Sequence, residues 1–131
     1  MKSILIIDDE SYIRELLSTY IGKYTNYKTI TAESGEAALD IIKTTKPDLI
    51  IIDLLLPKIG GISLFYEFQK FEKTKGTPVI FMSGTIMNKE FQQEGIELGA
   101  VDYITKPVNL ESLVNKIKSV LEENSKNIDS I

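Results

Sequence analysis

Leu49-Ile50-Ile51-Ile52-Asp53-Leu54-Leu55-Leu56-Pro57 is the stretch on which the fold turns. Its first four residues form a continuous, mostly β-branched apolar run. A run of this length suits a strand buried on both faces, as in a parallel sheet. Asp53 ends it. Two other stretches have the same character, Ile4-Leu5-Ile6-Ile7 and Val79-Ile80-Phe81-Met82. Weaker strands are expected over Tyr27 to Ala32 and Asp102 to Thr105.

Helical patterns fill the gaps between these strands. Ile13, Leu16, Leu17, Tyr20 and Ile21 follow the i, i+3, i+4, i+7, i+8 rule of a half-buried helix. Ala38, Ile41 and Ile42 mark a second helix, with Ser34 as its N-cap and Glu36 in its first turn. Leu64, Phe65, Phe68 and Phe71 mark a third. Lys89 to Leu98 is the poorest, with Gly95 inside it and Gly99 ending it with φ > 0. Leu110, Leu113, Val114, Ile117 and Leu121 mark the last, capped by Asn109. Strict alternation of strand and helix predicts a doubly wound α/β fold, a five-stranded parallel sheet with five helices on its two faces. The domain is expected over residues 1–122, with 123–131 a flexible polar tail or truncated linker.

Composition narrows the chemistry. The chain has 131 residues, 43% of them hydrophobic and 26% charged, which suits one domain with its own core. It has no cysteine, which excludes disulfides, thiolate metal sites and a cysteine nucleophile. It has no histidine, which excludes a Ser-His-Asp triad and a phosphohistidine intermediate on this chain. The net charge of −4 gives no global pull toward nucleic acid or an anionic membrane. Ile4 to Ile7 is too short for a signal peptide core, and no apolar run approaches transmembrane length. A soluble, cytoplasmic protein is expected.

In an open α/β sheet, ligands sit beyond the carboxyl ends of the strands. The residues expected there are Asp8-Asp9-Glu10, Asp53, Ser83-Gly84 and Thr105-Lys106-Pro107. Carboxylates crowded together need a cation or a raised pKa. A hard divalent ion such as Mg²⁺ is the natural compensation. The set fits phosphoryl transfer to a carboxylate, with Asp53 as nucleophile and Lys106 and Ser83 stabilising the transferring oxygens. Alone, each residue has an ordinary reading: Asp9 as a helix cap, Asp53 as a loop acid, Ser83 as a turn hydroxyl, Lys106 as a solvated amine, Tyr103 as a strand aromatic. Their joint placement carries the argument.

These motifs closely resemble the receiver domains of two-component response regulators, of the chemotaxis-regulator type. The resemblance covers about residues 2 to 122. It rests on Asp8-Asp9-Glu10, Asp53 to Pro57 with Gly60-Gly61, Pro78 to Gly84, and Gly99 to Pro107. It implies a flavodoxin-like sheet of order 2-1-3-4-5 and Asp53 as phosphoacceptor. Asp8, Asp9, Asp53 and the Leu55 main-chain carbonyl would hold Mg²⁺. Ser83 and Lys106 would contact the phosphoryl group, and the Lys106-Pro107 bond would be cis. Ser83 and Tyr103 would act as the switch, and the exposed faces of the fourth and fifth helices, which adjoin it, as the docking surface. The implied partners are a sensor histidine kinase or phosphotransfer protein, and a downstream protein or fused output domain. No direct contact with nucleic acid or membrane is implied. The domain would be a regulatory phosphoacceptor rather than an enzyme. Gly60 stands where the family often has an acid, and Leu55 and Thr85 occupy positions tied to phosphate lifetime.

Three other readings fit less well. A pseudo-receiver that docks without phosphorylation would be expected to lack an acid, the lysine or the acceptor, and all are present. A flavin-binding relative needs a phosphate loop where Asp8-Asp9-Glu10 would repel phosphate. An aspartate-nucleophile phosphatase needs a second acid where Leu55 stands.

Overall fold

A computed structural model of the chain describes residues 1–84, 93, 97 and 99–129, with side chains of the last stretch as far as Glu122. The elements run β1 (Ser3–Ile7), α1 (Ser11–Tyr24), β2 (Lys28–Ala32), α2 (Gly35–Ile42), β3 (Leu49–Asp53), α3 (Gly61–Gln69), β4 (Val79–Ser83), β5 (Asp102–Thr105) and α4 (Leu110–Asp129). All strand pairs are parallel, and the sheet order is β2-β1-β3-β4-β5. This is the doubly wound arrangement expected from the alternating pattern.

The continuous apolar runs are explained by two separate cores. Leu5, Ile7, Ile50, Ile52, Val79 and Phe81 face α2 and α3, where Ala38, Ile42, Leu64, Phe65 and Phe68 complete one cluster. The intervening residues Ile4, Ile6, Leu49, Ile51, Ile80 and Met82 face α1 and α4, meeting Leu17, Ile21, Leu113, Ile117 and Leu121. Successive strand residues point to opposite faces, so both faces need hydrocarbon. Ser34 caps α2 by accepting from the Ala37 N–H at 3.1 Å, and Asn109 accepts from the Ser112 N–H at 2.9 Å at the start of α4. Gly99 has φ of 112°, as its position required.

Some expectations shift. The third helix stops at Gln69, and Phe71 lies beyond it, 40% exposed. The chain turns there because the Thr74 hydroxyl donates to the Phe68 carbonyl at 2.6 Å, which carries Phe71 out of the core. β2 starts at Lys28 rather than Tyr27, whose N–H is taken by Thr25 Oγ1 in the preceding turn. Among the described residues there are four helices rather than five. The helix expected over Lys89 to Leu98 lies outside the described residues, except that Gln93 and Glu97 are helical. So does Thr85. The backbone of α4 is helical to Asp129, through most of the stretch read as a polar tail. That stretch holds no Gly or Pro, and Glu122, Glu123 and Lys126 are good helix formers. Among the described residues no helix is long and apolar enough to cross a membrane.

Candidate functional site

The polar residues gather where the strands end. β1 reaches Ile7, which stands beside Ile52 of β3, so Asp8 and Asp53 follow in the same row. Asp53 stands beside Met82, and Ser83 beside Thr105. Lys106 follows Thr105, its N–H donates to the Ser83 carbonyl at 2.7 Å, and its bond to Pro107 is cis. Asp8 and Ser83 are 0% exposed and Asp53 is 4% exposed. Their depth matches that of the hydrocarbon a residue or two earlier in each strand.

Lys106 draws the acids together. Its ammonium lies 2.9 Å from Asp8 Oδ2, 3.3 Å from Asp53 Oδ2 and 3.4 Å from Glu10 Oε1. The Asp8 contact is an ion pair without hydrogen-bond alignment, and Oδ2 has no other partner among the described residues. Asp8 Oδ1 accepts from the Glu10 N–H at 2.9 Å, and Asp53 Oδ1 from the Leu55 N–H at 3.1 Å. Burial pushes the Asp8 carboxyl above its ordinary range; Lys106 and the Glu10 N–H pull it back, and the charge of Asp53 adds to the rise. Burial alone would lower the pKa of Lys106. The carboxylates of Asp8 and Asp53 outweigh it and hold the ammonium more firmly protonated than a free lysine.

Asp8, Asp9 and Glu10 form a group whose carboxylate oxygens lie within 4.8 Å of one another. An all-oxygen donor set suits a hard cation. The poorly partnered Oδ2 of Asp8 points the same way, since a buried carboxylate oxygen is normally hydrogen-bonded. Of the acids read from the sequence, Asp8 and Asp9 fall in this group; Asp53 joins through Lys106. Glu10, given no individual role in the sequence reading, belongs to both sets. Tyr103 is half-buried on β5, its hydroxyl 3.3 Å from Thr105 Oγ1. The Leu55 side chain is 58% exposed.

Sequence reasoning missed what Gly61 does. A Cβ at that position would stand 2.6 Å from the Asp53 carbonyl oxygen and 2.8 Å from Leu54 Cα. The start of α3 therefore rests on the residue that carries the central carboxylate. The loop between them turns through Lys58, whose φ of 62° is left-handed. The glycine pair was visible in sequence; the backbone it touches was not.

The comparisons with known proteins agree with this geometry. Residues 4–118 match the family model of the response regulator receiver domain. The chain is 38% identical over 120 residues to the phosphate regulon transcriptional regulatory protein PhoB of Pseudomonas aeruginosa, covering 92% of this chain and 52% of that protein. It is 38% identical over 121 residues to the alkaline phosphatase synthesis transcriptional regulatory protein PhoP of Bacillus subtilis, covering 92% and 48%. It thus spans about half the length of these relatives. Among solved structures, the Francisella response regulator 1452 receiver domain superposes with a TM-score of 0.84 at 30% identity, covering 95% of this chain and 99% of that one. The chemotaxis response regulator CheY4 of Vibrio cholerae gives 0.83 at 28% identity, covering 92% and 98%. With sheet order, strand-end acids and relatives in agreement, the chain belongs to the response regulator receiver domain family of two-component systems.

Proposed function

We propose that this domain accepts a phosphoryl group on Asp53, with Mg²⁺, from a phosphohistidine of a sensor kinase or phosphotransfer protein. The observation that supports this most is the Lys106 ammonium standing between Asp8 and Asp53 at the ends of β1 and β3. Asp8, Asp9, Asp53 and the Leu55 main-chain carbonyl would hold Mg²⁺. When bound, the ion supplies positive charge to the acids and to the transferring oxygens.

The chain's own residues account for the rest. The Leu55 N–H fixes one oxygen of Asp53 and so orients the carboxylate. An Asp53 oxygen forms the new P–O bond as the donor's P–N bond breaks. The electron pair returns to the imidazole, and the product is an acyl phosphate. Lys106 offers its ammonium to the phosphoryl oxygens, and its acidic neighbours keep that ammonium protonated. The Ser83 hydroxyl, one row beyond Asp53, donates to another of those oxygens. Movement of Ser83 toward the group, with Tyr103 turning inward, shifts the population toward a changed surface. A downstream protein or fused output domain reads that surface. The domain acts in the cytoplasm, without contacting nucleic acid or membrane itself. It is a regulatory acceptor rather than an enzyme: Leu55 stands where an acid would be needed to activate water.

The test is incubation with Mg²⁺ and acetyl phosphate, followed by intact masses of the wild type and Asp53→Asn. One added phosphoryl group, dependent on Mg²⁺ and absent in the variant, is expected. No adduct, together with failure to bind beryllofluoride, would favour a docking module that works without phosphorylation.

A further inference from the structure

Arg14 is the only arginine in the chain. It is half-buried in the first turn of α1, and its Nη1 donates to the main-chain carbonyl of Asp8 at 2.8 Å. Among the described residues it forms no ion pair with any carboxylate. Phosphoryl transfer as derived above leaves this group unused.

The bond matters because of what the β1–α1 turn lacks. Glu10 is the N-cap of α1 and makes no side-chain capping hydrogen bond, and the first turn of the helix holds no acid. Its carboxylate reaches Lys106 instead. The usual device for fixing the start of a helix is therefore missing. Asp8 is held at three other points. Its N–H donates to the Ala32 carbonyl at 3.2 Å, tying it to β2. Its Oδ1 accepts from the Glu10 N–H, fixing one carboxylate oxygen. Its carbonyl accepts from Arg14, tying it to α1.

We infer that Arg14 is a positioning residue for the acidic site: through the Asp8 carbonyl it fixes the turn that presents Asp8 and Asp9 to a divalent cation. The residue type fits the task. A guanidinium stays charged when half-buried and holds its donors in a rigid plane. Aimed at a carbonyl rather than at a carboxylate, it leaves the acids free for the ion. The inference rests on reading this site as the Mg²⁺ site.

The experiment is calorimetric titration of Mg²⁺ into wild type, Arg14→Met and Arg14→Gln, with thermal melts on the same samples. Methionine removes the donor at similar length; glutamine keeps an amide but is too short to span the gap. Partners that orient metal ligands typically set affinity by about 10- to 100-fold. Both variants should melt cooperatively and bind Mg²⁺ at least about tenfold more weakly. At saturating Mg²⁺ their rate of phosphorylation by acetyl phosphate should return to that of the wild type, because Asp53 and Lys106 are untouched. Wild-type affinity in a folded variant overturns the inference. So does a rate that stays low at every Mg²⁺ concentration, or unfolding of both variants, since each would make Arg14 a scaffold residue. Absence of Mg²⁺ binding by the wild type would instead overturn the reading of the site itself.

Discussion

Ile51 and Asp53 lie two residues apart on β3, and they are almost equally enclosed, at 0% and 4% exposure. Ile51 meets hydrocarbon from α1 and α4. Asp53 meets a lysine ammonium and one main-chain N–H. The same pairing of apolar and polar residues at equal depth occurs between Ile6 and Asp8, just past the end of the first strand, and between Phe81 and Ser83 on the fourth. Burying an aliphatic side chain stabilises a fold by about 1.5–3 kcal/mol. Burying a carboxylate costs free energy unless charge and hydrogen bonds compensate it. The strand interiors hold the sheet together, and the strand ends spend some of that stability on keeping polar groups enclosed and oriented. Burial alone distinguishes neither region; the partners do.

Ile51→Ala tests the interior and should have the largest effect. It removes hydrocarbon from a close-packed strand with little room to collapse. A loss of about 2–5 kcal/mol is expected in urea unfolding, with unchanged m-value. A loss below about 1 kcal/mol would mean that the sheet relaxes freely around the gap, and the contrast with the strand ends would weaken.

Lys106→Met tests the compensation at the ends. It leaves Asp8 and Asp53 enclosed without their cation, and breaking such a pair from one side costs about 3 kcal/mol. The loss should depend on pH. Burial already raises the Asp8 carboxyl, and loss of the ammonium raises it further. A group whose folded pKa is raised contributes stability below its unfolded pKa and loses it as pH rises through the folded value. The variant should therefore recover stability relative to wild type as pH falls toward the ordinary carboxylate range. Added Mg²⁺ should also stabilise it more than it stabilises wild type. A deficit that ignores both pH and Mg²⁺ would show that Lys106 matters for packing rather than for charge.

Gly61→Ala probes the seam between the two regions. Its new Cβ meets the backbone of Asp53 and Leu54, which cannot rotate away as a side chain could. Overpacking of this kind costs about 1–3 kcal/mol. Because the strain falls on the carbonyl of Asp53, the proposed acceptor, phosphorylation should slow as well. A destabilised variant with unchanged phosphorylation rate would show that α3 absorbs the shift and Asp53 does not.

Much of this contrast was legible in sequence. Apolar runs without alternation gave strands covered on both faces, and the acids, hydroxyl and lysine that follow those runs are the residues that gather at the strand ends. What stayed hidden involves partners chosen by the fold. Phe71 continued a helical stripe, yet the Thr74 hydroxyl turns the chain before it can pack. Gly61 and Arg14 act on main-chain carbonyls of Asp53 and Asp8, and a carbonyl leaves no mark in the residue pattern. Lys58 adopts left-handed φ where glycine or asparagine would be read more easily. The helix past Glu122 has no apolar stripe to announce it, only the absence of breakers.

Asp53→Asn should have the smallest effect on stability and the most complete effect on phosphorylation. The amide oxygen can still accept from the Leu55 N–H, so the strand end keeps its hydrogen bond. The attraction to Lys106 at 3.3 Å is lost. In exchange, Asp8 no longer feels the charge that helps to raise its pKa, and Lys106 is left to compensate Asp8 and Glu10. These changes oppose one another, and a net shift within about 1 kcal/mol of wild type is expected. If the variant were instead destabilised by about 3 kcal/mol, Asp53 and Lys106 would form a structural ion pair of the kind whose breakage is costly. The strand ends would then resemble the interior in purpose as well as in depth. A near-neutral result with no phosphoryl adduct would separate them: Ile51 is held in place for the fold, and Asp53 for a reaction the folded state can do without.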